Sequence, residues 1–331
     1  MNDRERCGVR ILGTGSAIPS GILDNATLAA RFDVDEEWIH QRTGIRERRI
    51  CQDGESTFTL QVQALERALE SAGVDAADLS MVVAASVSSE MTCPSNASRV
   101  SEAVGAPGAG AFDLVAACSG FVYAMNTAEC LVRSGRYETI AVVGCDSMSL
   151  ISDANHRGSA ILFGDAAGAA ILQRCDDPEI GCFYQVMGGD STQWPTLYIP
   201  RREEDEVEGD GFDLALGMLR MKGKEVYKFA VKKFQEVAED LLRETGLGVD
   251  DISQFICHQS NARIIESAQT KLGLPPEKVY MNIDRYGNSS SGSVGLCLDE
   301  LWRSGRISRG DVIVMLAFGG GLTWASGAWR I

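Results

Sequence analysis

Apolar and polar positions alternate along the chain in two rhythms. Short runs in which nearly every position is apolar predict buried strands at 9–12, 81–85, 112–116, 140–143, 167–172, 255–257, 279–282 and 312–316, with a closing strand at 323–329. Longer stretches between them carry apolar residues three and four apart, the spacing of one helix face. They predict helices at 57–72 (ended by Gly73), 97–104, 119–133, 224–245, 262–272 and 293–304. Strands alternating with helices imply an α/β fold, with sheets covered by helices on their faces.

The pattern is written twice. Leu131-Val132-Arg133-Ser134-Gly135-Arg136 is nearly repeated as Leu301-Trp302-Arg303-Ser304-Gly305-Arg306, and an apolar strand follows each copy. Upstream, Gly73-Val74-Asp75 leads into the strand ending at Ala85, and Gly248-Val249-Asp250 into the strand ending before His258. The pattern restarts around Pro178, so two halves are expected, 1–175 and 176–331. Counting back thirteen residues from each copy of the first repeat matches Cys118 with Asn288.

Gly13-Thr14-Gly15-Ser16-Ala17-Ile18-Pro19 starts like a dinucleotide-binding fingerprint. It lacks the third glycine, and Pro19 interrupts the required helix, so a turn is expected there. The acidic stretch 203–210 reads as an exposed loop, free to be mobile, rather than a metal site.

With 331 residues the chain has room for two fused halves. No apolar run reaches the roughly 18 residues of a membrane helix. Residues 1–6 are charged and lack a signal peptide's apolar segment, which predicts a cytoplasmic protein. The net charge of −15 argues against nucleic acid as a partner. Within that acidic background, Arg42, Arg46, Arg48 and Arg49 form one basic cluster, and Lys222, Lys224, Lys228, Lys232 and Lys233 another. Both suit docking of an anionic ligand or partner. Ten scattered cysteines without a Cys-x-x-Cys pair, and three widely spaced histidines, give no support for a metal site.

Cys118 falls where a buried strand gives way to a helix. Backbone N–H groups and the positive end of a helix dipole favour a thiolate there. By position alone a packed core cysteine fits as well. His258 ends an apolar strand, where open α/β sheets place ligands. Asn288 lies in a Gly/Ser turn before a helix, and Phe318-Gly319-Gly320-Gly321 lets main-chain N–H groups approach a ligand oxygen.

In their local frames these residues resemble β-ketoacyl-acyl carrier protein synthase III of the thiolase superfamily. The frames are Ala116-Ala117-Cys118-Ser119-Gly120, His258-Gln259-Ser260-Asn261, Tyr286-Gly287-Asn288-Ser289-Ser290 and 318–324. Glu37-Trp38-Ile39, Arg42-Thr43-Gly44-Ile45-Arg46, Arg157-Gly158 and Phe163-Gly164-Asp165 extend the resemblance over the whole chain.

The resemblance implies a thiolase fold, with duplicated βαβαβαββ halves in a five-layer α-β-α-β-α sandwich, and a homodimer. It implies no permanently bound cofactor. The substrates would be an acyl-coenzyme A thioester and malonyl-acyl carrier protein. Cys118 would carry the acyl group, with the oxyanion held by backbone N–H groups of Cys118 and Gly320. His258 and Asn288 would then stabilise the enolate formed on loss of carbon dioxide. Trp38, Arg42, Arg157 and Asn261 match coenzyme A positions, and Lys228 and Arg263 match carrier-protein docking positions. Cys93 stands where the family often has a Phe bounding the acyl pocket, which implies a longer pocket. Plant-type polyketide synthases share the Cys, His and Asn trio. A synthase III-like enzyme of secondary metabolism with another primer or acceptor therefore stays open. The order Cys, His, Asn also occurs in cysteine hydrolases, although the local Cys frame differs.

Overall fold

The apolar runs assemble into two five-stranded sheets in the computed structural model of the protein, which describes residues 7–331. The charged segment 1–6 lies outside the described residues. The first sheet has the order Gly8–Ala17, Asp165–Cys175, Thr139–Ser147, Met81–Ala85, Gly110–Leu114. The second has the order Gly181–Gly189, Thr323–Arg330, Val312–Gly319, Gln254–Cys257, Val279–Tyr280. Taken in these orders, corresponding strands pair in the same sense, two antiparallel pairings followed by two parallel ones.

Side chains alternate across a strand, so each central strand feeds two cores. Ile140 and Val142 enter the core between the sheets, whereas Ala141, Val143 and Cys145 enter an outer core. In the second sheet Ile313, Met315 and Ala317 point inward, and Val314, Leu316 and Phe318 outward. Two helices, Gly120–Arg133 and Gly292–Arg303, fill the space between the sheets with Phe121, Met125, Val294 and Leu298. Thr57–Ala72 and Asn96–Ala103 cover the outer face of the first sheet. Gly223–Thr245 and Ala262–Leu272 cover that of the second. The result is the five-layer α-β-α-β-α sandwich that the resemblance implied.

The central helix and the first sheet meet through glycine. A Cβ on Gly168 would stand 2.3 Å from the Gly295 backbone, and one on Gly295 would stand 2.9 Å from Gly168. Only two glycines at the crossing allow that approach.

Several local expectations change. The expected turn at 13–19 is instead strand through Ala17, with a bulge between Ile11 and Gly13. Its glycines serve packing: a Cβ on Gly13 or Gly15 would strike the backbone of helix Thr57–Ala72 at 2.4 Å and 2.3 Å. Gly110–Leu114 begins and ends two residues earlier than expected, and it is only half-buried because it is the sheet's edge. Strand Gly181–Gly189 was not predicted; it is the opposite edge of the second sheet. The acidic loop is tied down. Buried Arg220 pairs with Glu206, the Tyr198 hydroxyl donates to Asp210, and Arg202 pairs with Asp205 at 2.9 Å.

Gly168→Ala is expected to lower stability by at least about 1–3 kcal/mol, the usual cost of overpacking, read as a loss of denaturation midpoint. Gly223→Ala, in open space at the start of a helix, should leave the midpoint unchanged or raise it.

Candidate functional site

Each central helix is entered through a strained residue. Ala117 has a φ of 48° and Ser290 a φ of 49°. Left-handed backbone at a non-glycine residue costs about 1–3 kcal/mol and has to be held by its surroundings. Ala117 opens the tight turn Ala117–Ser119 that presents Cys118 ahead of helix Gly120–Arg133. Measured from the strained residues, Cys118 matches Ser291, and Asn288 lies three residues upstream of that place. The match of Cys118 with Asn288 by counting back therefore fails: the helix Gly292–Arg303 has 12 residues against 14 in Gly120–Arg133, and the turn between the strained residue and the helix is one residue shorter as well.

The turn 288–293 distributes its polar groups with little left over. The Ser290 hydroxyl donates to Cys118 Sγ at 3.2 Å, and the Ser290 N–H donates to Asn288 Oδ1 at 3.0 Å. With Oδ1 held, the donor end of the Asn288 amide remains for a ligand. The Asn288 backbone is fastened on both sides, to Leu162 O at 2.9 Å and to Gly164 N at 3.0 Å. The Ser293 hydroxyl lies 2.7 Å from His258 Nδ1. His258 itself follows strand Gln254–Cys257, and its N–H donates to Leu316 O at 2.8 Å. Ser291 binds Asp146, which also receives Ser86, Val87 and Ser88.

Cys118, His258 and Asn288 thus line one narrow cavity of about 60 Å³, together with Phe318 and Gly319. A second cavity, of about 570 Å³, adjoins it and shares Cys118, Phe163 and Leu197 in its lining. Val87, Met148, Leu197, Ile199 and Leu219 line it, and neither His258 nor Asn288 does. Gly320 lines the larger cavity with Cys118. Gly319 is the glycine that packing demands, since a Cβ there would stand 2.8 Å from Cys118 N.

Burial decides the protonation states. It pushes the Cys118 thiol up to about 12; the Ser290 hydrogen bond opposes this and the nearby Asp146 charge adds to it. The thiolate expected from the helix dipole is therefore not the resting state. The helix proper begins two residues after Cys118, and complete desolvation outweighs a partial charge. Burial also lowers His258 to about 3, so its imidazole is neutral.

The residues matched to coenzyme A positions gather at one mouth. Trp38 and Arg42 lie on helix Glu36–Thr43, with the Arg42 guanidinium 4.7 Å and that of Arg157 5.5 Å from the indole centre. Asn261 is engaged with protein: it caps helix Ala262–Leu272 through Arg263 N and donates to Arg42 O at 3.0 Å. Arg48, counted with the basic cluster, is instead fully buried and donates to Asn25 and to Ile161 O. Lys228 and Arg263 are exposed on neighbouring helices, with Arg263 over the Tyr227 ring. Cys93 is exposed, and its neighbours Met91 and Thr92 line the larger cavity. Sequence reasoning missed Asp146, Ser290 and Ser293. The serine run after Asn288 was the available signal.

The His258 shift carries a sign. An unfolded His titrates near 6.5 and the buried one near 3. Between those values the unfolded chain binds a proton that the fold refuses, so stability falls as pH falls. Denaturant melts at pH 7 and pH 4.5 should show a larger loss for the wild type than for His258→Gln. Alkylation of Cys118, followed on its own peptide, should rise with pH past 10 without a plateau. A plateau near neutral pH would indicate a lowered thiol.

Comparison with known proteins gives one consistent relationship. Residues 112–191 match the family model described as 3-oxoacyl-[acyl-carrier-protein (ACP)] synthase III, and residues 242–331 match its C-terminal counterpart. The chain is 41% identical over 323 residues to a β-ketoacyl-[acyl-carrier-protein] synthase III of Caldanaerobacter subterraneus, covering 97% of each. To the enzyme of that name from Xylella fastidiosa it is 42% identical, covering 98% of this chain and 99% of the other. Among solved structures, the 3-oxoacyl-[acyl-carrier-protein] synthase III of Aquifex aeolicus superposes with a TM-score of 0.90 at 35% identity, covering 98% of this chain and 100% of that one. The priming β-ketosynthase of the R1128 polyketide pathway superposes equally well, with a TM-score of 0.90 at 37% identity, covering 99% and 98%.

Proposed function

We propose a reaction course from one premise: the chain belongs to the 3-oxoacyl-[acyl-carrier-protein] synthase III family. It is an acyltransferase-type condensing enzyme of fatty-acid initiation. What carries the assignment of residues is the convergence of Cys118, His258 and Asn288, from both sequence halves, on one narrow cavity. Residues 1–175 supply the sulfur, and 176–331 supply the imidazole and the carboxamide.

In the first stage Cys118 Sγ attacks the thioester carbon of an acyl-coenzyme A. The oxyanion lies against the backbone N–H groups of Cys118 and Gly320; losing one such donor typically costs about 2.7–4 kcal/mol. The C–S bond to coenzyme A breaks, and the proton leaving Cys118 ends on the departing sulfur. Beginning from a thiol suits this exchange, since one thiol is consumed and one released. In the second stage malonyl-acyl carrier protein loses carbon dioxide. The electron pair left behind forms an enolate, whose oxygen accepts hydrogen bonds from His258 Nε2 and the Asn288 side-chain amide. The neutral imidazole donates without adding a charge to a dry site. The carbanion attacks the acyl carbon, the bond to Cys118 breaks, and as the 3-oxoacyl product leaves the Cys118 thiolate takes up one proton from solvent, the proton that decarboxylation itself does not provide.

At the mouth, Trp38 stacks on the adenine and Arg157 closes over it. Two stacked contacts of about 3.5–4 Å exceed the present 5.5 Å spacing, so Arg157 has to open. Arg42 lies beside them, and Asn261 acts by holding the Arg42 backbone. Lys228 and Arg263 form a local basic patch for the acidic carrier protein. No cofactor is held permanently; coenzyme A comes and goes as part of the substrate. The enzyme works in the cytoplasm as a homodimer, and no helix among the described residues is long and apolar enough to cross a membrane.

His258→Ala should still form the acyl-Cys118 adduct but lose condensation by about 100-fold or more, comparable to removal of a transition-state donor. Mass spectrometry of the adduct and assay of 3-oxoacyl product test both halves. No adduct from any acyl-coenzyme A would sink the reading. The 570 Å³ cavity, with Cys93 at its loop, also predicts acylation by medium-chain primers as readily as by acetyl. A sharp preference for acetyl would count against that use of the cavity.

A further inference from the structure

The Ser293 hydroxyl has one proton and two neighbours competing for it. It lies 2.7 Å from His258 Nδ1 and 2.9 Å from the Ser290 carbonyl oxygen. Its oxygen also accepts from the Gln259 N–H at 3.4 Å. Ser293 is 1% exposed and His258 3% exposed, so water does not arbitrate.

The two placements of that proton have opposite consequences. If the hydroxyl donates to the Ser290 carbonyl, Nδ1 has to be the protonated ring nitrogen. Nε2 then faces the cavity as a bare acceptor. If the hydroxyl donates to Nδ1, Nε2 carries the ring proton and faces the cavity as a donor. Three observations favour the second. The contact to Nδ1 is the shorter. The Ser290 carbonyl already accepts from the Ser293 N–H at 3.3 Å, whereas Ser293 is the hydrogen-bond partner seen for Nδ1. Finally, Gln259 N–H, Ser293 O–H and Nδ1 make a chain in which every donor meets an acceptor.

We propose that Ser293 is a positioning residue that fixes His258 as its Nε2–H tautomer, so that the ring presents a donor to the enolate oxygen and no base to Cys118. The inference rests on the reading of His258 as the enolate donor. It adds where the ring's proton sits and which residue holds it there. It also separates the two stages. Acylation passes the Cys118 proton to the leaving sulfur without His258, so loss of Ser293 touches decarboxylation alone. The hydroxyls of the turn are divided among separate tasks. Ser290, Ser291 and Ser293 lie within four consecutive residues, yet they address Cys118, Asp146 and His258 respectively.

The chain's three histidines, His40, His156 and His258, make the tautomer directly readable. In the full-length protein labelled with ¹⁵N-histidine, with His258→Gln to assign the signals, His258 should show a protonated Nε2 and an unprotonated Nδ1. A protonated Nδ1 in the resting protein would overturn the proposal whatever the enzyme's activity proves to be. Kinetically, Ser293→Ala should slow malonyl-acyl carrier protein decarboxylation by about 10–100-fold, by analogy with the loss of a hydrogen-bond partner that orients a metal-bound His. Acylation of Cys118 by acyl-coenzyme A should stay within about twofold, and Ser293→Thr should restore most of the lost rate. Decarboxylation unchanged in Ser293→Ala, or both stages falling together, would reject the positioning role. Failure of the wild type to form any acyl-enzyme would instead reject the functional reading above, and the spectrum would still decide the tautomer.

Discussion

One carboxylate holds the two halves of the site in register. Asp146 is fully buried near the end of strand Thr139–Ser147 in the first sheet. One of its oxygens receives the Ser86 hydroxyl at 3.0 Å and the Val87 N–H at 2.7 Å. The other receives the N–H and hydroxyl of Ser291, at 3.1 Å and 2.8 Å, from the turn that carries Asn288. A buried carboxylate is tolerable only when its acceptor sites are filled. Filling them requires the loop after the Met81–Ala85 strand and the first turn of helix Gly292–Arg303 to arrive together. The cavity shared by Cys118, His258 and Asn288 depends on that meeting, because the same turn also presents Ser290 to Cys118 and Ser293 to His258.

The dry surroundings that make this framework rigid also set its chemistry. Burial holds Cys118 as a thiol and His258 as a neutral imidazole. A pre-formed thiolate and imidazolium pair is thereby disfavoured, and the site is poised to donate hydrogen bonds where negative charge develops. Electrostatic stabilisation of this kind gains from exclusion of water. The two cavities divide the remaining work. In the proposed reaction the narrow one, lined by His258 and Asn288, would hold the enolate, and the wide one, lined by Met148, Leu197 and Leu219, would take the acyl chain.

Much of this architecture was legible in the chain. Strands whose positions are nearly all apolar had to be buried on both faces, and Ile140 to Val143 indeed serve two cores in alternation. The helices Thr57–Ala72 and Ala262–Leu272 have the ends that their apolar spacing dictates, the first with its glycine stop at Gly73. What failed was local. Gly13 and Gly15 looked like a turn because glycine is ambiguous between conformational freedom and close packing, and only the helix lying on them shows which applies. Strand Gly181–Gly189 carries no long run of apolar positions to predict it, being an edge with mixed exposure.

For the site, the chain by itself determined the candidate groups Cys118, His258 and Asn288 and their local frames, since side-chain chemistry and the residues beside it are properties of sequence. It could not determine the protonation of Cys118, because desolvation depends on what packs around a sulfur from both sheets. Nor could it show that Asn261 is engaged by Arg42, that Arg48 is buried or that Ser293 meets His258 across 35 residues. Those are contacts between segments remote in sequence. Their distances exist only once the two sheets have closed over the central helices.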